Sequence, residues 1–346
     1  MVYLLYKIMS KKSIHILVAP LSWGLGHATR CIPIIREIEK NGMIPFIASD
    51  SDALALLKIE FPNLNCIKLP SYNIQYKSEN MFWNIASQSF KLIRASISEH
   101  SAINKIVSEY QIDAIISDNR YGCYHSKCYN IFISHQLNLN IKPKFMQSVI
   151  NRFQRKLVSK FNEIWVPDYE KYPGLAGDLS HPQKCFHPKV TYIEPLSRLT
   201  FKSSLKIYDI IVVISGPEPQ RTNFEKIILN IANQLTCYKW LIVSGKPFGE
   251  SLKSTSAMIE IVSHLNAEDF NNAILKSKVL IGRSGYSSIM DITKVGIKSL
   301  LIPTPGQTEQ EYLAEELKDD NFFFSCNQHE LNVEKVKSFL EQTMVN

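Results

Sequence analysis

Glycine and proline are scarce in this chain, 13 and 16 among 346 residues, while 45% of it is hydrophobic. That balance excludes collagenous and low-complexity classes and points to a folded globular protein. Long apolar runs are missing too. None reaches the roughly 18 residues that a membrane-spanning helix needs. The N-terminal "MVYLLYKIMSKK" is apolar, but no small-residue cleavage site follows it. We therefore read it as a leader into the first strand and not as a signal peptide, with Met9 an alternative start to Met1. The expected location is the cytoplasm.

Paired cysteines are also lacking. The seven stand at 31, 66, 123, 128, 185, 237 and 326. Only Cys123 and Cys128 are close, with His125 between them, and no second ligand pair of comparable spacing completes a zinc site. Reduced cytosolic thiols are the simpler account, and no metal is expected.

Acidic charge is short in one half only. Residues 1–200 hold 24 Lys and Arg against 15 Asp and Glu, whereas residues 201–346 hold 15 against 17. The formal charge of +7 therefore belongs to the first half, which suits an anionic partner such as a lipid surface, a nucleic acid or a phosphorylated substrate.

What is present is an alternation of short apolar runs and longer amphipathic ones, the pattern of parallel-sheet α/β domains. The first half offers strands at 14–20, 43–49, 64–70, 113–118, 130–135 and 163–168, with a helix from Ala28 to Asn41 that stops at Asn41-Gly42. Residues 174–205 lose period and read as the approach to a domain junction. The second half repeats the pattern. Strands fall at 208–216, 239–245, 258–265, 278–285 and 298–305. Helices fall at 223–235, 267–276, 286–295 and 308–318, and the tail is helical. We thus expect two Rossmann-like domains, 1–200 and 201–346, facing a cleft lined by the C-terminal ends of their strands. The last helix is free to pack back on the first domain.

Four stretches carry chemistry. "SWGLGHATR" (22–30) follows the first strand. Gly24 and Gly26 resemble part of a dinucleotide fingerprint, but Thr29 replaces its third glycine and no Gly-Lys-Ser/Thr closes a P-loop. Asp50, at the end of the second strand, is where a ribose-binding acid would stand for a nicotinamide or flavin cofactor. The other reading is a loop brought close to substrate, with His27 at a helix N-terminus as proton acceptor. "SGPEPQRT" (215–222) places Ser215 and Gly216 in a turn before a helix, with Arg221 suited to a diphosphate or a base carbonyl. In "GRSGYSSIMD" (282–291), Ser284 and Gly285 open a second anion-binding turn, and Asp291 lies two helical turns on, placed to grip a ribose diol. "PTPGQTEQEYLA" (303–314) sets Glu309 and Gln310 at a helix start, where they can bond sugar hydroxyls. Asp118, Arg120 and His135 follow strand ends in the first half as candidate acceptor contacts, with capping and loop hydrogen bonds the alternative for each.

"GRSGYSSIMDITKVGIKSLLIPTPGQTEQEYLA" resembles the C-terminal donor-binding segment of glycosyltransferase family 28. "GLGHATR" resembles that family's N-terminal glycine-rich loop, whose histidine falls on His27, and "SGPEPQR" takes the place of its glycine-serine loop. About a third of the chain is covered by these motifs, in the family's order. The resemblance implies a GT-B fold and an inverting, metal-independent transferase that uses a UDP-sugar and no cofactor. His27 would be the base and Asp291 the ribose ligand, where the family commonly has Glu. Gln310 would read the sugar. Glu309 stands where a second Gln or an Asp is usual, which leaves N-acetylglucosamine open as the donor sugar. Ser284, Gly285 and Arg221 would lie on the diphosphate and uracil side, although two prolines in "SGPEPQR" remove backbone donors there. No Asp-x-Asp pair lies near this segment. The acceptor is unidentified, a lipid-linked or cell-envelope polysaccharide being the class implied. An enzyme similar to UDP-N-acetylglucosamine 2-epimerases and a non-catalytic nucleotide-sugar-binding subunit are the alternatives.

The stretch 141–161 holds Phe145, Val149, Phe153, Leu157 and Phe161 at every fourth residue, among Lys142, Lys144, Arg152, Arg155, Lys156 and Lys160, without one acid. The basic helix 142–160 reads either as a core stripe with a solvated basic face or as a helix lying on anionic lipid, which would bring the protein to the membrane's cytoplasmic face. No stacking aromatics interleave with the charges, so nucleic acid is not an expected partner.

Overall fold

The computed structural model of the protein describes residues 13–71, 81–139, 144–245, 256–318 and 320–344. Met1, Met9 and Lys142 lie outside the described residues, as do the side chains of Lys144 and Phe145. The chain divides between Arg198 and Leu199 into two compact units.

The first unit is built on a seven-stranded sheet in the order β3-β2-β1-β4-β5-β6-β7. Its strands are β1 (His15–Pro20), β2 (Ile44–Ser49), β3 (Asn65–Lys68), β4 (Ala114–Asp118), β5 (Tyr129–Ile133), β6 (Glu163–Val166) and β7 (Val190–Tyr192), and every neighbouring pair is parallel. The cause is legible in the central strands. "ILVA" and "AII" are continuous apolar runs, and Ile16, Leu17, Val18, Ile115 and Ile116 are all buried, as a sheet covered on both faces requires. Helices α1 (Gly26–Lys40), α2 (Ser51–Glu60), α3 (Met81–Tyr110) and α4 (Lys144–Val158) fill the connections. Helix α1 ends at Gly42, whose φ of +72° is the left-handed conformation expected of its Asn-Gly stop. β7 falls within the stretch read as lacking period. It has three residues, all half-buried, too few to print an apolar pattern.

The second unit repeats the plan with six parallel strands in the order β10-β9-β8-β11-β12-β13. They are β8 (Tyr208–Val213), β9 (Trp240–Val243), β10 (Ile259–Val262), β11 (Ser277–Gly282), β12 (Lys298–Leu301) and β13 (Phe323–Ser325). The helices are α5 (Gln220–Gln234), α6 (Ala267–Leu275), α7 (Tyr286–Val295), α8 (Thr308–Glu316) and α9 (Val333–Met344). One core joins Ile210, Val212, Phe224, Trp240 and Ile281 to Val336, Phe339 and Leu340 of α9. The sequence left α9 free to pack on the first domain. The structure gives its apolar face to the second sheet instead, because that sheet offers an uncovered hydrophobic flank beside β11.

In both sheets the strand order reverses beside the first strand of the unit, between β1 and β4 and between β8 and β11. In open α/β sheets such reversals leave a crevice at the carboxyl ends of the strands, where ligands bind.

A buried ionic network fixes that edge in the first unit. The Arg120 guanidinium donates from Nε to Glu99 Oε1 at 2.5 Å and from Nη1 to Asp50 Oδ1 at 2.7 Å. It also donates to the carbonyls of Pro20 at 3.2 Å and Pro70 at 3.0 Å. Glu99 Oε2 accepts from Gly122 N at 3.0 Å. One side chain thereby ties the ends of β1 and β2, the loop after β3, helix α3 and the turn after β4. Removing one partner of such a network leaves uncompensated buried charge. Arg120→Met should lower unfolding free energy by about 3–5 kcal/mol, read as a lower urea midpoint. An unchanged midpoint would show that the network carries no stability.

Candidate active site

The first unit brings three of its expected residues, His27, Asp118 and His135, toward one point. The chain leaves β1 through Leu21–Leu25 and enters α1 with His27 in its first turn. β4 ends on Asp118, directly beside β1. His27 Nδ1 lies 3.0 Å from Asp118 Oδ1. Arg30, one turn further along α1, donates Nε–H to Asp118 Oδ2 at 2.6 Å and forms a second, shorter bond from Nη2 to Oδ1. Its Nη1 is 3.3 Å from His135 Nδ1, just beyond β5, and its Nη2 is 2.8 Å from His27 Nδ1. Cys31 Sγ approaches Asp118 Oδ2 at 3.7 Å. Arg30 closes the glycine-loop motif, and nothing in that motif alone assigns it a role. Its signal was the i, i+3 spacing from His27, which sets both side chains on one helix face.

The electrostatics follow from burial. Asp118 is 0% exposed, and burial alone would push its carboxyl up. The Arg30 guanidinium and the adjoining His27 outweigh that and hold it well below the usual carboxylate range. Burial pulls His27 below its ordinary value; Asp118 opposes that pull and Arg30 adds to it. His27 is therefore a neutral imidazole at pH 7. Nδ1 meets two opposed groups, the Asp118 carboxylate at 3.0 Å, which favours hydrogen there, and Arg30 Nη2 at 2.8 Å, a donor that favours the lone pair; for Nε2 the described residues supply no partner. The His27 side chain keeps 16% exposure, enough to meet a ligand.

Arg120 departs from its expected place. It is fully buried and bonded on every side, so it braces the site and is not open to an acceptor. Asp50 is likewise 3% exposed and spent on Arg120, so it is not presented to a cofactor ribose. Gly24, with φ of +74°, has open space where a Cβ would stand, and Gly26 opens α1. Cys123 and Cys128 are buried thiols in no disulfide, and among the described residues no three His, Cys, Asp or Glu side chains gather as a metal site.

In the second unit the loops after β8, β11 and β12 converge. Gly216, with φ of +108°, lies so that an added Cβ would stand 3.6 Å from Thr304 Oγ1 and 3.9 Å from Arg283 Nε. Arg283 follows β11 immediately and is buried. Its guanidinium bonds the carbonyls of Ile302 (3.3 Å), Pro303 (3.3 Å) and Gln220 (3.0 Å) and Gln328 Oε1 at 2.7 Å, and it covers the Phe224 ring at 4.3 Å. No carboxylate faces it among the described residues. Burial lowers its pKa to about 10, so at pH 7 it is a cation balanced only by neutral dipoles. Sequence reading passed over it in favour of Arg221. The clue was a cation set directly behind an apolar strand.

Arg221 is already neutralised. It bonds Glu218 Oε1 from Nε at 2.7 Å and lies 3.5 Å from Glu225 Oε2 and 3.2 Å from the Ser244 carbonyl. Ser284 is buried, and its hydroxyl donates to the Gln310 carbonyl at 2.9 Å, joining the turn after β11 to the start of α8. Gln310 turns its amide inward, accepting from Thr304 N at 2.9 Å and donating to Gln307 Oε1 at 2.6 Å. Ser215 is half-buried just beyond β8. Gly285 is the N-cap of α7, with open space beside it. Asp291 on α7 and Glu309 in the first turn of α8 are half-buried and engaged in polar contacts.

Residues 211–346 match the glycosyltransferase family 28 C-terminal domain. A UDP-N-acetylglucosamine–N-acetylmuramyl-(pentapeptide) pyrophosphoryl-undecaprenol N-acetylglucosamine transferase of Caldicellulosiruptor saccharolyticus is 28% identical over 200 residues. That alignment spans 54% of this chain and about half, 53%, of the relative. Among solved structures, the glycosyltransferase of kitacinnamycin superposes with a TM-score of 0.70 at 13% identity, covering 96% of this chain and 91% of that one. Acinetobacter baumannii MurG gives 0.57 at 12% identity, with the same coverage of 96% and 91%. The strand orders, the paired switch points and the superpositions agree on a GT-B fold, and its second unit is similar to the glycosyltransferase family 28 C-terminal domain.

Proposed function

We propose that the protein transfers a sugar, N-acetylglucosamine in the closest reading, from a UDP-sugar to a hydroxyl of a lipid-linked acceptor, with inversion and without a metal. The single observation that carries the chemistry is the His27–Asp118 contact at 3.0 Å with Arg30 closing the other side of the carboxylate. His27 Nε2 takes the proton of the acceptor hydroxyl as its oxygen attacks the anomeric carbon from the face opposite the diphosphate. Asp118 holds the ring in the required tautomer and stabilises the imidazolium that forms. UDP departs as the anomeric C–O bond breaks.

The second unit holds the donor in this reading. The developing charge on UDP is met by the N-terminus of α7 at Gly285 and by the uncompensated Arg283 cation beneath Gly216. Ser215, Gly216, Ser284 and Gly285 line the diphosphate, Asp291 bonds the ribose, and Glu309 and Gln310 face the sugar. Arg221, held by Glu218 and Glu225, acts in this scheme only once Glu218, an exposed side chain, swings away. Gly24, Gly26 and His135 border the acceptor. The relatives' printed names, UDP-sugar donors with lipid-borne acceptors, support this choice of substrates. The excess of cations in the first half supports peripheral attachment to anionic lipid on the cytoplasmic face.

The deciding experiment is thermal stabilisation of the purified protein against UDP, UDP-sugars, GDP- and dTDP-sugars and NAD(P). Stabilisation by UDP and one UDP-sugar is the expected result; stabilisation by NAD(P) alone would overturn the reading. Two variants then test the base. His27→Ala and Asp118→Asn should each cut turnover by about 10²–10⁴ while calorimetric UDP-sugar affinity stays as in the wild type. Wild-type turnover in either would remove the dyad from the mechanism. The pH profile follows from the sign of the shift. Because burial lowers the His27 pKa, its basic form persists to more acid pH than usual. The acid limb of kcat/KM should therefore have its midpoint below about 6.5; a midpoint above that value would exclude His27 as the group titrating.

A further inference from the structure

Two guanidiniums stand at the start of helix α5. Arg283, just behind β11, donates from Nη2 to the carbonyl of Gln220, the first residue of α5, at 3.0 Å. Arg221 is the second residue of the helix, with its side chain only 11% exposed. The helix adds its own positive end, because the first N–H groups of a helix lack intrahelical acceptors. Two carboxylates face Arg221, and they differ in freedom. Glu225 is buried, with Oε2 3.5 Å from Arg221 Nη1. Glu218 lies in the loop before the helix, and its side chain is 57% exposed. Only Glu218 is able to leave.

Glu218 holds Arg221 in the manner of a phosphoryl group. Its Oε1 accepts from Arg221 Nε at 2.7 Å and, more closely, from Nη2. Its Oε2 accepts from Thr222 N at 3.3 Å. One anion thereby takes a guanidinium fork and a helix N-terminal amide together, the donors from which phosphate sites are commonly built. The loop has few others to offer. Pro217 and Pro219 flank Glu218 and carry no N–H, and Arg221 N is spent on the Pro217 carbonyl at 2.9 Å. An anion arriving at this helix start meets the same donors that Glu218 is using.

Simple helix capping accounts for this contact less well. A capping side chain is usually short and belongs to the residue next to the helix. Here that residue is Pro219, and the carboxylate comes from one position earlier and bonds chiefly to a side chain. An exposed pair of this kind is weak, so the paired state exceeds the open one only a few times over. That is enough to neutralise Arg221 in the empty protein, and little enough for a more highly charged diphosphate to displace.

We propose that Glu218 is a built-in counter-ion, which fills the anion seat at the start of α5 and competes with the donor's diphosphate for Arg221. The inference rests on the UDP-sugar reading above and deepens it by naming what the donor displaces on entry. Binding exchanges a carboxylate for a phosphate on one guanidinium, and Glu218 turns to solvent. Glu225 stays in place behind Arg221. Apparent donor affinity is lowered by the fraction of molecules whose seat is already filled.

The test is calorimetry on the full chain with UDP and, separately, with inorganic pyrophosphate. E218Q removes the competing charge at an exposed position and should tighten both ligands about two- to fivefold. E218D keeps the charge but ends one methylene short of Arg221, so it should tighten them too; a general field effect would leave it like the wild type. The gain from E218Q should vanish when R221Q and E218Q/R221Q are compared. Equal affinities in E218Q and the wild type would overturn the counter-ion, as would a gain that survives R221Q undiminished. In that case UDP binding by the wild type still leaves the donor reading standing. A pyrophosphate gain in E218Q with no UDP binding in any variant does the reverse, removing the donor reading and keeping the counter-ion. Silence from both ligands in every protein would overturn the seat itself.

Discussion

A single carboxylate, Asp118, sets the terms for the rest of the first unit's site. It sits at the end of β4, fully buried, where burial favours the neutral acid. Arg30 keeps it ionised by bonding both of its oxygens, and the ionised carboxylate faces His27 Nδ1 at 3.0 Å. Arg30 also reaches His135, so three elements, α1, β4 and the loop after β5, share one guanidinium. The same cation works against protonation of His27 and so favours the neutral imidazole at neutral pH.

A second guanidinium, Arg120, performs the mechanical task nearby. It is spent on two carboxylates and two carbonyls and keeps the crevice edge in shape. The division of labour is electrostatic. Arg120 is neutralised and structural, whereas Arg283 in the second unit is buried beside neutral dipoles only and retains an outward field. Two units of the same topology thereby carry opposite charge at equivalent switch points, one centred on a buried carboxylate beside an imidazole, the other on an uncompensated cation.

Helix α4 illustrates a different constraint. Its residues can satisfy either an apolar core or a polar loop, and the loop after β5 presents backbone and amide groups that would be costly to bury without partners. The amide face therefore turns in beside Val158, Val149 and Phe153 turn out, and the far end of the stripe, at Phe161, is buried. A stripe at every fourth residue says that one face is hydrophobic; it does not say which way that face points.

The sequence by itself determined the longer strands of both halves and the helices of the second, because continuous apolar runs between amphipathic stretches leave little choice but a parallel sheet. It also placed His27, Asp118 and His135 after strand ends, where the chemistry of such sheets lies, and the motif "GRSGYSSIMD" carried the resemblance to the family 28 C-terminal domain that residues 211–346 match. Short edge strands such as β7 and β13 escaped it, since three residues carry no period. Only the tertiary structure decided pairing. It joined Arg30 to Asp118 across 88 residues and Arg120 to Glu99 and Asp50, and it gave Arg221 to Glu218 while leaving Arg283 without an acid. It also turned α4 over. The reason is physical: local sequence fixes periodicity and strand ends, but the state of a charge depends on which groups three-dimensional packing places within a few ångströms of it.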